Sequence, residues 1–119
     1  MTTTPEREIQ NNIRLDLGKR SDVIVWRNSR GVAIHDNGSH IPYGLGAGSA
    51  DLVGLVSSGR FLGLEVKTTK GKPTTDQKLW MNLVNRAGGY AVVVRSTADA
   101  RDAVTAALED RDAHLYPLA

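Results

Sequence analysis

The sequence predicts an α/β fold: a mixed central sheet flanked by helices. Three observations predict it. Ile9, Ile13 and Leu17 recur at four-residue spacing, and Leu79, Trp80, Leu83, Val84 and Ala87 form a second stripe, both marks of amphipathic helices. Two apolar runs, 51–56 and 60–67, flank Ser57-Ser-Gly59 in the pattern of an antiparallel hairpin. A helix separates the second run from Tyr90-Ala-Val-Val-Val-Arg95, and a β-α-β connection of this kind places its two strands parallel. Hairpin and crossover together make the sheet mixed.

Each element follows from local chemistry. Thr3 or Thr4 can cap the first helix, Pro5 suits its first turn, and Gly18 ends its pattern. Val23-Ile-Val-Trp26 is a short β-branched strand running to about Asn28, after the polar Lys19-Arg-Ser-Asp22 turn. Residues 29–49 hold Gly31, Gly38, Pro42, Gly44, Gly46 and Gly48 with little periodicity, so a long functional or mobile loop is expected there. The polar stretch Thr68–Pro73 leads into the second long helix, which Gly88-Gly89 ends. A final helix, capped near Ser96 or Thr97, carries Ala100, Ala103, Val104, Ala107 and Leu108. Trp26 and Trp80 sit within apolar patterns and are expected in or near the core.

Composition narrows the function classes. A chain of 119 residues suffices for one core, so a single domain over 1–119 is expected. With no Cys, disulfides, thiolate zinc sites and cysteine nucleophiles are excluded. No apolar run nears the roughly 18 residues needed to span a bilayer, and Met1-Thr-Thr-Thr-Pro5 has no apolar signal region, so a soluble, cytoplasmic protein without a membrane partner is expected. The net charge of +2 does not announce a nucleic-acid binder. Between Glu65 and Arg86, however, Lys67, Lys70, Lys72, Lys78 and Arg86 outnumber Glu65 and Asp76, a local excess suited to phosphate.

The chemistry centres on the hairpin. Glu65 and Lys67 lie two apart on a strand and project from one face, while Val66 points into apolar packing. Alone, such a pair is an ordinary surface ion pair. Asp51 begins the opposing strand, and register decides whether it joins them. A two-residue Ser58-Gly59 loop would pair Asp51 with Val66, on the wrong face; a three-residue loop or a bulge pairs it with Glu65 or Lys67, and this odd loop is the expectation. Two carboxylates converging on one face repel unless a cation joins them, and oxygen ligands favour Mg²⁺ or Mn²⁺.

Asp51, thirteen intervening residues and Glu65-Val66-Lys67, in an αβββαβ order, resemble the PD-(D/E)xK nuclease superfamily with its restriction-endonuclease-like core. Glu6-Arg-Glu-Ile-Gln10, Trp26-Arg-Asn28, Gly48-Ser-Ala-Asp-Leu-Val-Gly54, Glu65-Val-Lys67 and Gln77 resemble, more narrowly, the VRR-NUC (virus-type replication-repair nuclease) domains. The likeness spans residues 4 to 95; the proline often found before the aspartate is replaced by Ala50.

This resemblance implies metal-dependent hydrolysis of nucleic-acid phosphodiesters. Asp51 and Glu65 match the family's metal-binding carboxylates, and the Val66 carbonyl its backbone ligand. Lys67 matches the lysine that orients or activates the attacking water. Glu6 matches the additional first-helix acid, with Glu8 as the alternative, and Gln77 the glutamine near the scissile phosphate. Other roles compete for several of these residues. Glu6 follows Thr3, and Gln77 follows Thr74, by three positions, the spacing of a capping box, which for Gln77 is compatible with a catalytic role. Arg27 and Asn28, like Lys70 and Lys72, are candidate nucleic-acid contacts, although Arg27 and Asn28 fit an exposed strand end equally. Tyr43, His40 and His35 are candidates to stack on or touch DNA, but loop histidines are more often simply exposed.

Other motifs fail. Gly44-x-Gly46-x-Gly48 precedes a strand, whereas a phosphate cradle opens a helix, and Gly71-Lys72 lacks the remainder of a Walker motif. The expected activity is therefore a Mg²⁺- or Mn²⁺-dependent endonuclease leaving 5′-phosphate ends, selective for branched, flap or junction DNA in replication, repair or recombination. A homodimer is expected, by likeness to small resolvase-like nucleases. The alternatives are a non-catalytic nucleic-acid-binding module, which clustered acids facing phosphate argue against, and a small-molecule metallohydrolase, which the basic second half disfavours.

Overall fold

A computed structural model describes residues 4–118. The elements run α1 (Pro5–Leu17), β1 (Val23–Arg27), β2 (Gly31–Ile34), β3 (His40–Tyr43), β4 (Leu52–Val56), β5 (Phe61–Val66), α2 (Thr75–Arg86), β6 (Tyr90–Val94) and α3 (Thr97–Leu108). Four strands form the central sheet in the order β1-β4-β5-β6, all neighbours antiparallel except β5 and β6. The mixed sheet and the parallel crossover are thus as the sequence predicts.

Helix α1 starts at Thr4, whose hydroxyl accepts from the Arg7 N–H at 3.2 Å, with Pro5 in the first turn. Thr3, the alternative cap, lies outside the described residues. With Thr4 as cap, Glu6 is not at the capping-box position. Ile13 and Leu17 of α1 join Ala100, Ala103, Val104 and Ala107 of α3 against Leu52, Val56, Leu62, Leu64, Val66 and Val94, forming the main core on one face of the sheet. The other face of β5 carries Phe61, Gly63 and Glu65, and α2 covers it: a Cβ at Gly63 would come within 3.0 Å of the Trp80 ring, which meets Phe61 edge-on at 6.2 Å.

Three expectations are corrected. The segment 29–49 is not a plain loop but holds a two-stranded hairpin, β2 and β3, apart from the main sheet. Its Val32, Ile34, Ile41 and Tyr43 are exposed, so no core imposes a strong pattern; the local signal is Asn37-Gly38, with Gly38 at φ +85° and Asn37 Oδ1 accepting from Ser39. The buried residues of α2 are Gln77, Met81 and Asn82, with Trp80 and Val84 half-buried, while Leu79, Leu83 and the following Ala87 of the predicted stripe are exposed. Trp26 is 48% exposed, because α2 lies over β5 and β6 and leaves the Ile24–Trp26 side of β1 open; Trp80 is half-buried as expected.

Candidate active site

The hairpin register decides the site. Leu52 pairs with Leu64 and Leu55 with Phe61, and Val56 donates to Arg60 O at 3.1 Å, which leaves the three-residue loop Ser57-Ser58-Gly59. Gly59, at φ +89°, closes it with an N–H donated to Val56 O at 2.8 Å. The odd loop is therefore present. One step beyond Leu52 and Leu64, Asp51 falls opposite Glu65 on the α2 side of the sheet, with Lys67, just past the end of β5, next on the same side.

Each side chain is held by a named contact. Asp51 Oδ2 accepts from the Val66 N–H at 2.9 Å. Glu65 Oε1 accepts from Gln77 Nε2 at 2.9 Å and lies 4.0 Å from Lys67 Nζ. Gln77 performs both roles considered from sequence: its Oε1 accepts from the Thr74 N–H at 2.8 Å and its N–H donates to the Thr74 hydroxyl, completing a capping box, while Nε2 reaches Glu65. The cap fixes which way the amide faces. Ahead of Asp51, Asn28 Nδ2 donates to Ser49 Oγ at 2.7 Å and to Ala50 O at 3.0 Å, and its main-chain N–H to Asp51 O at 2.9 Å. Both side-chain N–H donors of Asn28 are thus engaged in holding the aspartate's strand, and none is left for a phosphate. Gly48, at φ +78°, touches the start of α2, where any Cβ would meet Asp76 O at 2.2 Å.

Electrostatically the centre of the site is Glu65, 1% exposed. Burial first, and then the neighbouring Asp51 carboxylate, push its acid up to about 8, against the pull of Lys67 and Arg30. Its Oε2 is buried without a hydrogen-bond partner, as is Oε1 of Gln10 on α1. Unfilled oxygen acceptors beside a second carboxylate are the donor set that a hard divalent cation satisfies, so these residues fit the metal that the sequence implies. Among the described residues no third acid joins Asp51 and Glu65 in a metal-binding group. Glu6 is half-buried in the first turn of α1, and the α1 residues that line the cleft beside Asp51 are Arg7 and Gln10.

That cleft measures about 470 Å³ and brings Arg7, Arg27 and Arg30 around Asp51. Arg27 is exposed on its rim. Lys70 and Lys72 are exposed on the loop from β5 to α2, which Arg95 braces by donating to Thr68 O and Gly71 O. Sequence reasoning missed Arg7, Gln10 and Arg30. Arg7 and Gln10 are one helical turn apart, a usable signal; Arg30 had only its spacing of three from Arg27.

Comparison with known proteins bears directly on this arrangement. The family model described as "VRR-NUC domain" matches residues 42–98, the span holding Asp51, Glu65, Lys67 and Gln77. Residues 42–98 thus resemble a VRR-NUC domain. A solved structure described as "VRR_NUC domain" shares the fold, with a TM-score of 0.60 and 18% identity over 87% of this chain and 97% of that one. No curated protein matches. The match implies a nuclease-type family for that span, and the mixed sheet and flanking helices accord with a restriction-endonuclease-like fold. No helix among the described residues is long and apolar enough to cross a membrane.

Proposed function

We propose that this VRR-NUC-like domain is a Mg²⁺- or Mn²⁺-dependent endodeoxyribonuclease. The observation that carries the reading is the convergence of Asp51, buried Glu65 with its unfilled Oε2, and Lys67 beside an arginine-lined cleft. Asp51, Glu65 and the Val66 carbonyl would hold the cation, with Glu6 as a further acid drawn in from α1. Bound there, the cation supplies Lewis-acid activation of water and neutralises charge on the phosphate.

The chain's own groups do the rest. Lys67 sets its Nζ beside Glu65, in reach of an attacking water or of the charge that develops on phosphorus. Gln77 orients Glu65 from a capped helix start, and Arg27, Lys70 and Lys72 contact the DNA backbone. The water oxygen bonds to phosphorus as the bond to the 3′ oxygen breaks; that oxygen ends protonated, and the other end keeps the 5′-phosphate. We extend the reading to a single nuclease domain acting in the cytoplasm as a homodimer on branched, flap or junction DNA during replication, repair or recombination. The uncovered Ile24, Trp26 and Leu55 on the β1–β4 side support self-association.

The test is cleavage of supercoiled plasmid and synthetic branched DNA with Mg²⁺, Mn²⁺ or EDTA, by wild type, Asp51→Ala and Lys67→Ala. Metal-dependent cutting that either substitution abolishes is expected. Binding that weakens steeply with salt, with no cutting of any substrate, would instead make the chain a nucleic-acid-binding module that keeps the nuclease fold.

A further inference from the structure

Asp51 offers its two oxygens to different partners. Oδ2 is fixed by the Val66 N–H at 2.9 Å, a consequence of the sheet register, whereas Oδ1 faces Arg30 Nη1 at 3.8 Å. The second contact is loose: it is longer than a hydrogen bond, and the Arg30 side chain remains 30% exposed. In the metal-free protein, Arg30 thus supplies positive charge beside the Asp51 carboxylate where it converges on Glu65.

The backbone of Arg30 is fixed while its guanidinium is not. It sits at the base of the β2–β3 hairpin, where Gly44, at φ +92°, approaches so closely that a Cβ there would meet Arg30 Cβ at 2.5 Å. The side chain opens into the cleft shared with Arg7 and Arg27. A guanidinium anchored at its base, held weakly by one carboxylate and facing a basic cleft, is suited to forked binding of a phosphate.

We propose that Arg30 exchanges partners during the reaction cycle: it neutralises Asp51 in the metal-free protein, then releases it to the divalent cation and clamps a phosphate of the DNA strand in the cleft. This rests on the nuclease reading above. Cation and guanidinium compete for one carboxylate, so the two binding events are linked, and metal and DNA each strengthen the other's binding.

The test compares wild type, Arg30→Ala and Arg30→Lys by calorimetric titration with Mn²⁺ and by binding of a labelled DNA duplex in Ca²⁺ over a range of salt. Arg30→Ala is expected to bind Mn²⁺ about two- to fivefold more tightly, the range an exposed ion pair commands. It should bind the duplex about tenfold more weakly, with the slope of log K against log salt reduced by about one. Arg30→Lys keeps a charge near Asp51, so its Mn²⁺ affinity stays near the wild-type value while duplex binding still falls, because an ammonium lacks the fork. Unchanged or weaker Mn²⁺ binding by Arg30→Ala overturns the exchange, as does an unchanged salt slope. A wild type that takes up no Mn²⁺ and cuts no DNA overturns the nuclease reading itself; one that does both, with Arg30→Ala behaving identically, overturns only the role of Arg30.

Discussion

Replacing Glu65 by Gln should make the metal-free protein more stable at neutral pH and flatten its pH dependence. Burial and the neighbouring Asp51 push the Glu65 acid up to about 8 in the fold, from about 4.5 for a glutamate in water. The sign follows from proton binding: between those values the folded chain holds a proton that the unfolded chain has released, so raising pH favours unfolding. Stability from this group is complete below about 4.5 and is lost as pH rises towards 8. One pH unit inside that window is worth about 1.4 kcal/mol, so the loss between pH 5 and pH 7 is at most about 2–3 kcal/mol, a fall in Tm on the order of 10 °C for a domain of this size. Gln at position 65 mimics the protonated acid: its Oε1 still accepts from Gln77 and it carries no charge to bury. Thermal melts of wild type and Glu65→Gln in EDTA, from pH 5 to pH 8, should therefore diverge steadily, with contributions from the three histidines cancelling in the difference. Added Mg²⁺ should reverse the wild-type loss, since binding at the carboxylates displaces the proton. Parallel melting curves across that range would refute the assignment of a buried, proton-retaining Glu65.

Gly48→Ala should cost about 2–4 kcal/mol in thermal melts, since its Cβ would strike Asp76 O at 2.2 Å, whereas Gly46→Ala, with positive φ but open space, should cost only about 1 kcal/mol. Asn28→Ala should destabilise by about 1–3 kcal/mol and lower cleavage at least tenfold while leaving duplex affinity within about twofold, a split that separates positioning of Asp51 from contact with phosphate. Trp80→Ala should cost about 3 kcal/mol and Trp26→Ala under about 0.5 kcal/mol in the monomer, the contrast following from which sheet face α2 covers.

The legible part of the fold is the part governed by short-range rules. Thr4, Thr74 and Ser96 mark helix starts by side chains that reach only three residues, and all three caps are made. Asp51 could be placed on the face of Glu65 because a loop of three residues leaves one choice of parity. The errors lie where a distant element decides. Leu79 and Leu83 have the spacing of a buried stripe, but the side of α2 that faces β5 is set by Gln77 reaching Glu65 and by Trp80 filling the space over Gly63. Trp26 reads as core because no local signal says that α2 stops short of β1.

The same division runs through the candidate site. It is assembled from two strand registers, and only one of them is joined by a short loop. In the β4–β5 register, Asp51, Glu65 and Lys67 come together, and the sequence alone carries that step. The β1–β4 register pairs Arg27 with Leu52 and so brings Asn28 beside Asp51, across a connection of more than twenty residues that no loop rule constrains. Whatever flanks Asn28 is delivered to the carboxylates by that pairing: Arg27 on one side, Arg30 on the other, with Arg7 and Gln10 on α1 facing them. The acids therefore belong to the locally determined half of the site and the arginines to the long-range half. Substitutions that slip β1 against β4 should consequently strip phosphate binding from the domain while leaving Asp51 opposite Glu65.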